Sequence, residues 1–133
     1  MNCLKALAHI AIYTESIAES VAFYEKLGGV CTAHAEAAKS TGVNQLALVD
    51  WAGMTLELIE PHDGTVLSKD QTAPFPHIAV AVDDLDAAVA QLRAAGIVFL
   101  TDAPVEMPQV FGGLRNIFFL GINAEKIELL QML

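Results

Sequence analysis

The sequence predicts an α+β protein built from two tandem copies of one β-α-β-β-β module. Three observations carry this. First, "HIAIYTESIAESVAFYEKLGGV", from His9, aligns with "HIAVAVDDLDAAVAQLRAAGIV", from His77, with seven identities in 22 positions. Apolar or polar character is kept at most of the others, so the chain repeats itself. Second, "TLELIE" at 55–60 aligns with "KIELLQ" at 126–131. Each copy therefore opens on a strand His and closes on a strand Glu. Third, between those ends the apolar residues change from strand to helix spacing and back.

The elements follow in order. Apolar and β-branched residues place the first strand near 7–13. Ser16 followed by Glu19 forms a capping box. Ile17, Val21 and Tyr24 then share one face of a helix that Gly28-Gly29 ends. Strands follow near 30–36, 44–50 and 54–60. The second copy has a strand at 77–82 and a helix capped by Asp83 or Asp84. Leu85, Val89 and Leu92 form that helix's apolar stripe, Gly96 stops it, and strands follow near 97–100, 115–120 and 125–131. The chain reads as a single domain over 1–133, with module one at about 5–61, a linker at about 62–75 and module two at about 76–133. "TDAPVEMPQVFGGL", 101–114, is rich in Pro and Gly and reads as a loop over the site.

Composition narrows the function classes. A chain of 133 residues, 54% of them apolar, can bury a real core and is not disordered. No apolar run reaches the roughly 18 residues of a membrane span, and "MNCLKALAHI" has no secretory pattern. Cys3 and Cys31 have no metal or redox spacing, and read as packed or surface thiols of a reduced, cytoplasmic protein. A net charge of −9 argues against a nucleic-acid partner, which needs a basic patch. The mean hydropathy of +0.47 implies apolar surface covered by a second subunit, and a homodimer is the commonest solution.

The two Glu residues pose the chemical question. A carboxylate inside an apolar strand costs several kcal/mol unless it is exposed, paired or bound to a cation. Alternation puts His9 on the face of Ala11, His77 on that of Ala79, Glu57 on that of Ile59 and Glu128 on that of Leu130. Singly, a strand His is usually structural and a strand Glu usually faces water. Two of each at matching repeat positions form a set. His9, Glu57, His77 and Glu128 together suit one divalent zinc, nickel, cobalt, iron or manganese ion, with positions left for water and substrate. Such an ion would also neutralise the carboxylates. His34 and His62 fall outside the repeat and read as surface residues. Trp51, Met107, Val110 and Phe111 either line an apolar pocket or pack. Arg115 and Lys126, the nearest cations in sequence, either hold a substrate carboxylate or face water.

The segments "AHIAIYTESIAESVAFYEKLGG", "LELIEP", "PHIAVAVDDLDAAVAQLRAAG" and "NIFFLGINAEKIELLQ" span nearly the whole chain. They resemble the vicinal oxygen chelate superfamily of glyoxalase I, methylmalonyl-CoA epimerase, extradiol dioxygenases and bleomycin-resistance proteins. The resemblance implies a cup-shaped mixed sheet of paired βαβββ modules around one metal, with His9, Glu57, His77 and Glu128 as ligands, from one chain or from two. The His-Glu-His-Glu set is most similar to glyoxalase I (lactoylglutathione lyase). There a metal stabilises an enediolate and a ligand Glu carries the proton. Here that implies Glu128 or Glu57 as the base, and Glu128, in the more apolar strand, is the first choice. Tyr13 and Pro61 stand where glutathione-binding Arg and Asn are usual, which points away from glutathione. The function implied is thus a metal-dependent lyase or isomerase acting on a small oxygen-chelating molecule. One alternative is a methylmalonyl-CoA epimerase-like enzyme, although Gln45 stands where some epimerases carry a catalytic Glu. Another is a non-catalytic binding protein of the bleomycin-resistance kind. A Glu57 ligand argues against an extradiol dioxygenase, which uses two His and one Glu.

Overall fold

The repeat in the sequence becomes two four-stranded sheets of one topology. A computed structural model of the protein describes residues 9–67, 77–108, 110 and 112–133, and divides the chain into two units, Met1–Leu67 and Ser68–Leu133. Unit one comprises β1 (Ile10–Tyr13), α1 (Ile17–Lys26), β2 (Val30–Lys39), β3 (Gly42–Trp51) and β4 (Met54–Glu60). Its sheet order is β1-β4-β3-β2, with β1 parallel to β4 and the other pairs antiparallel. Unit two comprises β5 (Ile78–Ala81), α2 (Leu85–Ala94), β6 (Val105–Met107), β7 (Leu114–Leu120) and β8 (Lys126–Met132), in the order β5-β8-β7-β6. Each unit is the expected β-α-β-β-β module. Cys3, Phe111, residues 7–8 of the expected first strand and most of the expected linker lie outside the described residues.

Both helices start and stop by the same chemistry. The Ser16 hydroxyl accepts from the Glu19 N–H at 3.2 Å, and the Asp84 carboxylate from the Ala87 N–H at 3.0 Å. A second acceptor comes from the last strand of each module. Glu60 accepts from the Ile17 N–H at 3.0 Å, and Gln131 from the Leu85 N–H at 2.8 Å. These residues match under the repeat, so each closing strand is tied to the start of its own helix. At the other ends Gly28 and Gly96 adopt φ of 88° and 91°, which turns the chain out of each helix at no cost to a side chain.

Each core lies on one face of its sheet. In unit one Ile17 and Tyr24 of α1 and Ala47, Val49, Leu56 and Leu58 of β3 and β4 are buried. In unit two the buried set is Leu85, Val89, Ile117, Phe119, Ile127 and Leu129. Trp51 belongs to this packing and is 6% exposed. Its ring lies 5.1 Å from that of Tyr24, and its indole N–H donates to the Leu27 carbonyl at 3.1 Å.

One expectation about the strands is corrected. The expected strand at 97–100 shrinks to a single bridge, Phe99 to Phe119. A strand instead forms at Val105–Met107, inside the expected loop, and pairs with β7. The turn between them explains the shift. The Thr101 hydroxyl donates to the Ala103 carbonyl, the Arg93 guanidinium donates to that of Asp102, and Pro104 has no N–H to offer a ladder. Pairing resumes one residue later.

Candidate metal centre

The parallel strand pair in each unit sets a His beside a Glu. In unit one Ala11 of β1 lies opposite Glu57 of β4, and His9 precedes Ala11 by two residues on the same face. His9 Nε2 stands 3.6 Å from Glu57 Oε2. In unit two Ala79 lies opposite Glu128, and His77 Nε2 is 3.2 Å from Glu128 Oε2. Ala11 and Ala79 are small, so they leave room between each His and its Glu. Leu56 and Leu58 flank Glu57 in sequence and go into the core, as do Ile127 and Leu129 around Glu128. Alternation therefore turns both carboxylates away from the helices.

These spacings fit a metal's donor set. Two ligands each about 2.1 Å from one ion lie roughly 3.0–3.4 Å apart for octahedral to tetrahedral angles. Each unit brings two of the four expected ligands together at close to that spacing. Among the described residues no group of three or more His, Cys, Asp or Glu comes together to hold an ion.

The two carboxylates differ in their support. Glu57 is about one-fifth exposed and has His9 beside it. Glu128 is buried, and its Oε1 accepts from Asn116 Nδ2 at 2.9 Å while Oε2 faces His77. Asn116 lies opposite Leu130, and in unit one the corresponding place, opposite Ile59, is Leu46. Sequence reasoning missed Asn116. The only signal was a lone amide in the apolar strand "LRNIFFL".

Phe118 is the direct cross-strand partner of Glu128. Its ring meets that of His77 edge-on, with centroids 5.6 Å apart, and Lys126 Nζ lies 4.6 Å from its centroid. Arg115, the other cation considered, points to the helix side. It donates to Asp86, just inside α2, at 3.0 and 3.2 Å. That hydrogen-bonded pair raises the Arg115 pKa and lowers that of Asp86. Exposed Met107 has its sulfur 3.8 Å from Asn116 Nδ2. His34 lies exposed beside Cys31, at 3.5 Å. His62 lies exposed against Glu60, at 2.7 Å. That hydrogen bond, together with the one from Ile17, lowers the Glu60 pKa.

The family profile described as Glyoxalase/Bleomycin resistance protein/Dioxygenase superfamily matches residues 8–118. The chain belongs to this superfamily. Its fold recurs in solved structures of low identity. The superfamily's fosfomycin resistance protein FosX from Listeria monocytogenes, complexed with Mn(II) and 1S,2S-dihydroxypropylphosphonic acid, is 20% identical. That match covers 95% of this chain and 91% of the other, with a TM-score of 0.68. A glyoxalase family protein from Bacillus cereus is 18% identical over 100% and 99% of the two chains, with a TM-score of 0.70. A glyoxalase/bleomycin resistance protein/dioxygenase from Alicyclobacillus acidocaldarius is 17% identical over 99% and 95%, at 0.67. No curated protein matches the sequence. Among the described residues no helix is long and apolar enough to cross a membrane.

Proposed function

We propose that this superfamily member is a metal-dependent lyase or isomerase of the glyoxalase I-like kind. It acts through an enediolate-type intermediate on a small oxygen-chelating substrate and is not specific for glutathione. The observation that carries this is the pair of His–Glu contacts, 3.6 and 3.2 Å, at equivalent positions of the two modules. His9, Glu57, His77 and Glu128 would hold one divalent ion, with each unit contributing two donors from one chain or from two chains of a homodimer. The Mn(II) bound by the fosfomycin resistance protein supports a divalent cation as the occupant. When bound, such an ion supplies Lewis-acid stabilisation for negative charge developing on a substrate oxygen.

The chain's own residues do the rest. A carboxylate, Glu128 or Glu57, takes a proton from the carbon beside a carbonyl and returns it to the neighbouring carbon. The imidazoles remain as fixed nitrogen donors. A non-catalytic binding protein would need none of these four side chains. Metal analysis of untagged protein tests the proposal. One zinc, nickel, cobalt, iron or manganese per His2Glu2 set is expected, falling sharply in His9→Ala and in His77→Ala. Full occupancy in both variants would overturn the ligand assignment. Light scattering at micromolar concentration is expected to show a dimer, and a monomeric mass would contradict it.

A further inference from the structure

We infer that the substrate carries a negatively charged group besides its metal-chelating oxygens, and that Lys126 receives that group. The inference rests on the metal-centre reading and names the substrate class for it. Lys126 and Glu128 are two residues apart on β8, so both side chains leave the same face of the sheet. Phe118, opposite Glu128 and edge-on to His77, holds the Lys126 ammonium over its ring. Half-buried Lys126 forms no ion pair among the described residues. By contrast, Lys39 and Arg115 are paired with Asp63 and Asp86.

The placement is costly for a metal site. A fixed positive charge beside two metal donors repels the cation they would bind. A neutral residue serves equally well in the strand, since Thr55 occupies the matching place in module one. The cost is offset when an anion binds between ion and ammonium. A chain of net charge −9 also repels small anions, so a substrate of that class needs a local cation at the site. Arg115 cannot serve, because it is held on the opposite face by Asp86. The ligand class is therefore a small oxygen chelator bearing a carboxylate or a phosphonate-like group.

The test uses Mn(II)-loaded protein, with water-proton relaxation as the readout of ligand binding. The probes are malate, phosphonoacetate and acetohydroxamate, the last having no charged group beyond its chelating oxygens. In Lys126→Met, Mn(II) affinity is expected to be unchanged or tighter. The variant should weaken malate or phosphonoacetate by about tenfold or more, the scale of a lost hydrogen bond to a charged group, and leave acetohydroxamate within about twofold. Whichever of the two acids loses more identifies the anionic group. Equal binding of both acids by wild type and variant would overturn the inference and leave the metal centre standing. Loss of Mn(II) from the variant would show Lys126 to be structural and would also overturn it. Wild-type protein that takes up no divalent metal would overturn both.

Discussion

Asn116→Leu removes the amide donor that supports Glu128, and its cost can be worked from the structure. Asn116 and Glu128 are 5% and 7% exposed, so water cannot replace the 2.9 Å hydrogen bond. Leucine has the same heavy-atom branching as asparagine, is somewhat larger, and is what module one carries at this place, as Leu46. The change therefore leaves little cavity, and the loss is that of a hydrogen bond to a charged acceptor. That is about 1.5–3 kcal/mol, or roughly 4–10 °C in Tm for a chain of this size. A second loss appears only with metal. Partners that orient a metal ligand are worth about 10–100-fold in affinity, so the variant should bind Co(II) or Mn(II) that much more weakly. Differential scanning calorimetry of the apo protein and metal titration of the same sample read the two effects separately. A double-mutant cycle with Glu128→Gln assigns the loss to the pair. If Asn116→Leu melts within about 1 °C of wild type and binds metal equally well, the hydrogen bond neither stabilises nor positions Glu128.

Glu128→Gln and Glu57→Gln, compared at matched metal occupancy on a turned-over substrate, identify the base. The variant at the base loses roughly 10²-fold or more in turnover, and normal turnover by metal-loaded Glu128→Gln would rule Glu128 out. Activity on the glutathione–methylglyoxal hemithioacetal should be poor, because Tyr13 and Pro61 offer no charged or amide contact. A kcat/KM of about 10⁵ M⁻¹s⁻¹ or more would refute this. Hydrogen bonds from Thr65, Lys39 and Asn44 hold the Asp63 carboxyl well below its ordinary value of 3.8. A depressed carboxylate stabilises the fold above its unfolded pKa, and that contribution is lost as pH falls through the lower folded pKa. The Asp63 carboxyl signal in an NMR titration should therefore stay constant from neutral pH to about pH 3, and titration at the ordinary value would contradict the geometry.

Much of this protein was written in local sequence. The modules, both helices with their caps, and the glycine stops follow from residue spacing and side-chain chemistry that act within a few positions. The four candidate ligands were legible too, because a repeat doubles a signal that a single strand His or Glu does not carry. The pairing of β6 was not legible. A three-residue strand after Pro104 has no periodicity to read, and forms only because β7 is present to receive it. The fate of Arg115 and Lys126 was likewise open. Both are cations in strands near the site, and only cross-strand register sends one to Asp86 on the helix side and the other over Phe118 beside His77. Asn116 is the sharpest case. Its amide gains meaning through Glu128, twelve residues away on the next strand, and contacts of that kind are set by pairing between strands, which local sequence does not encode.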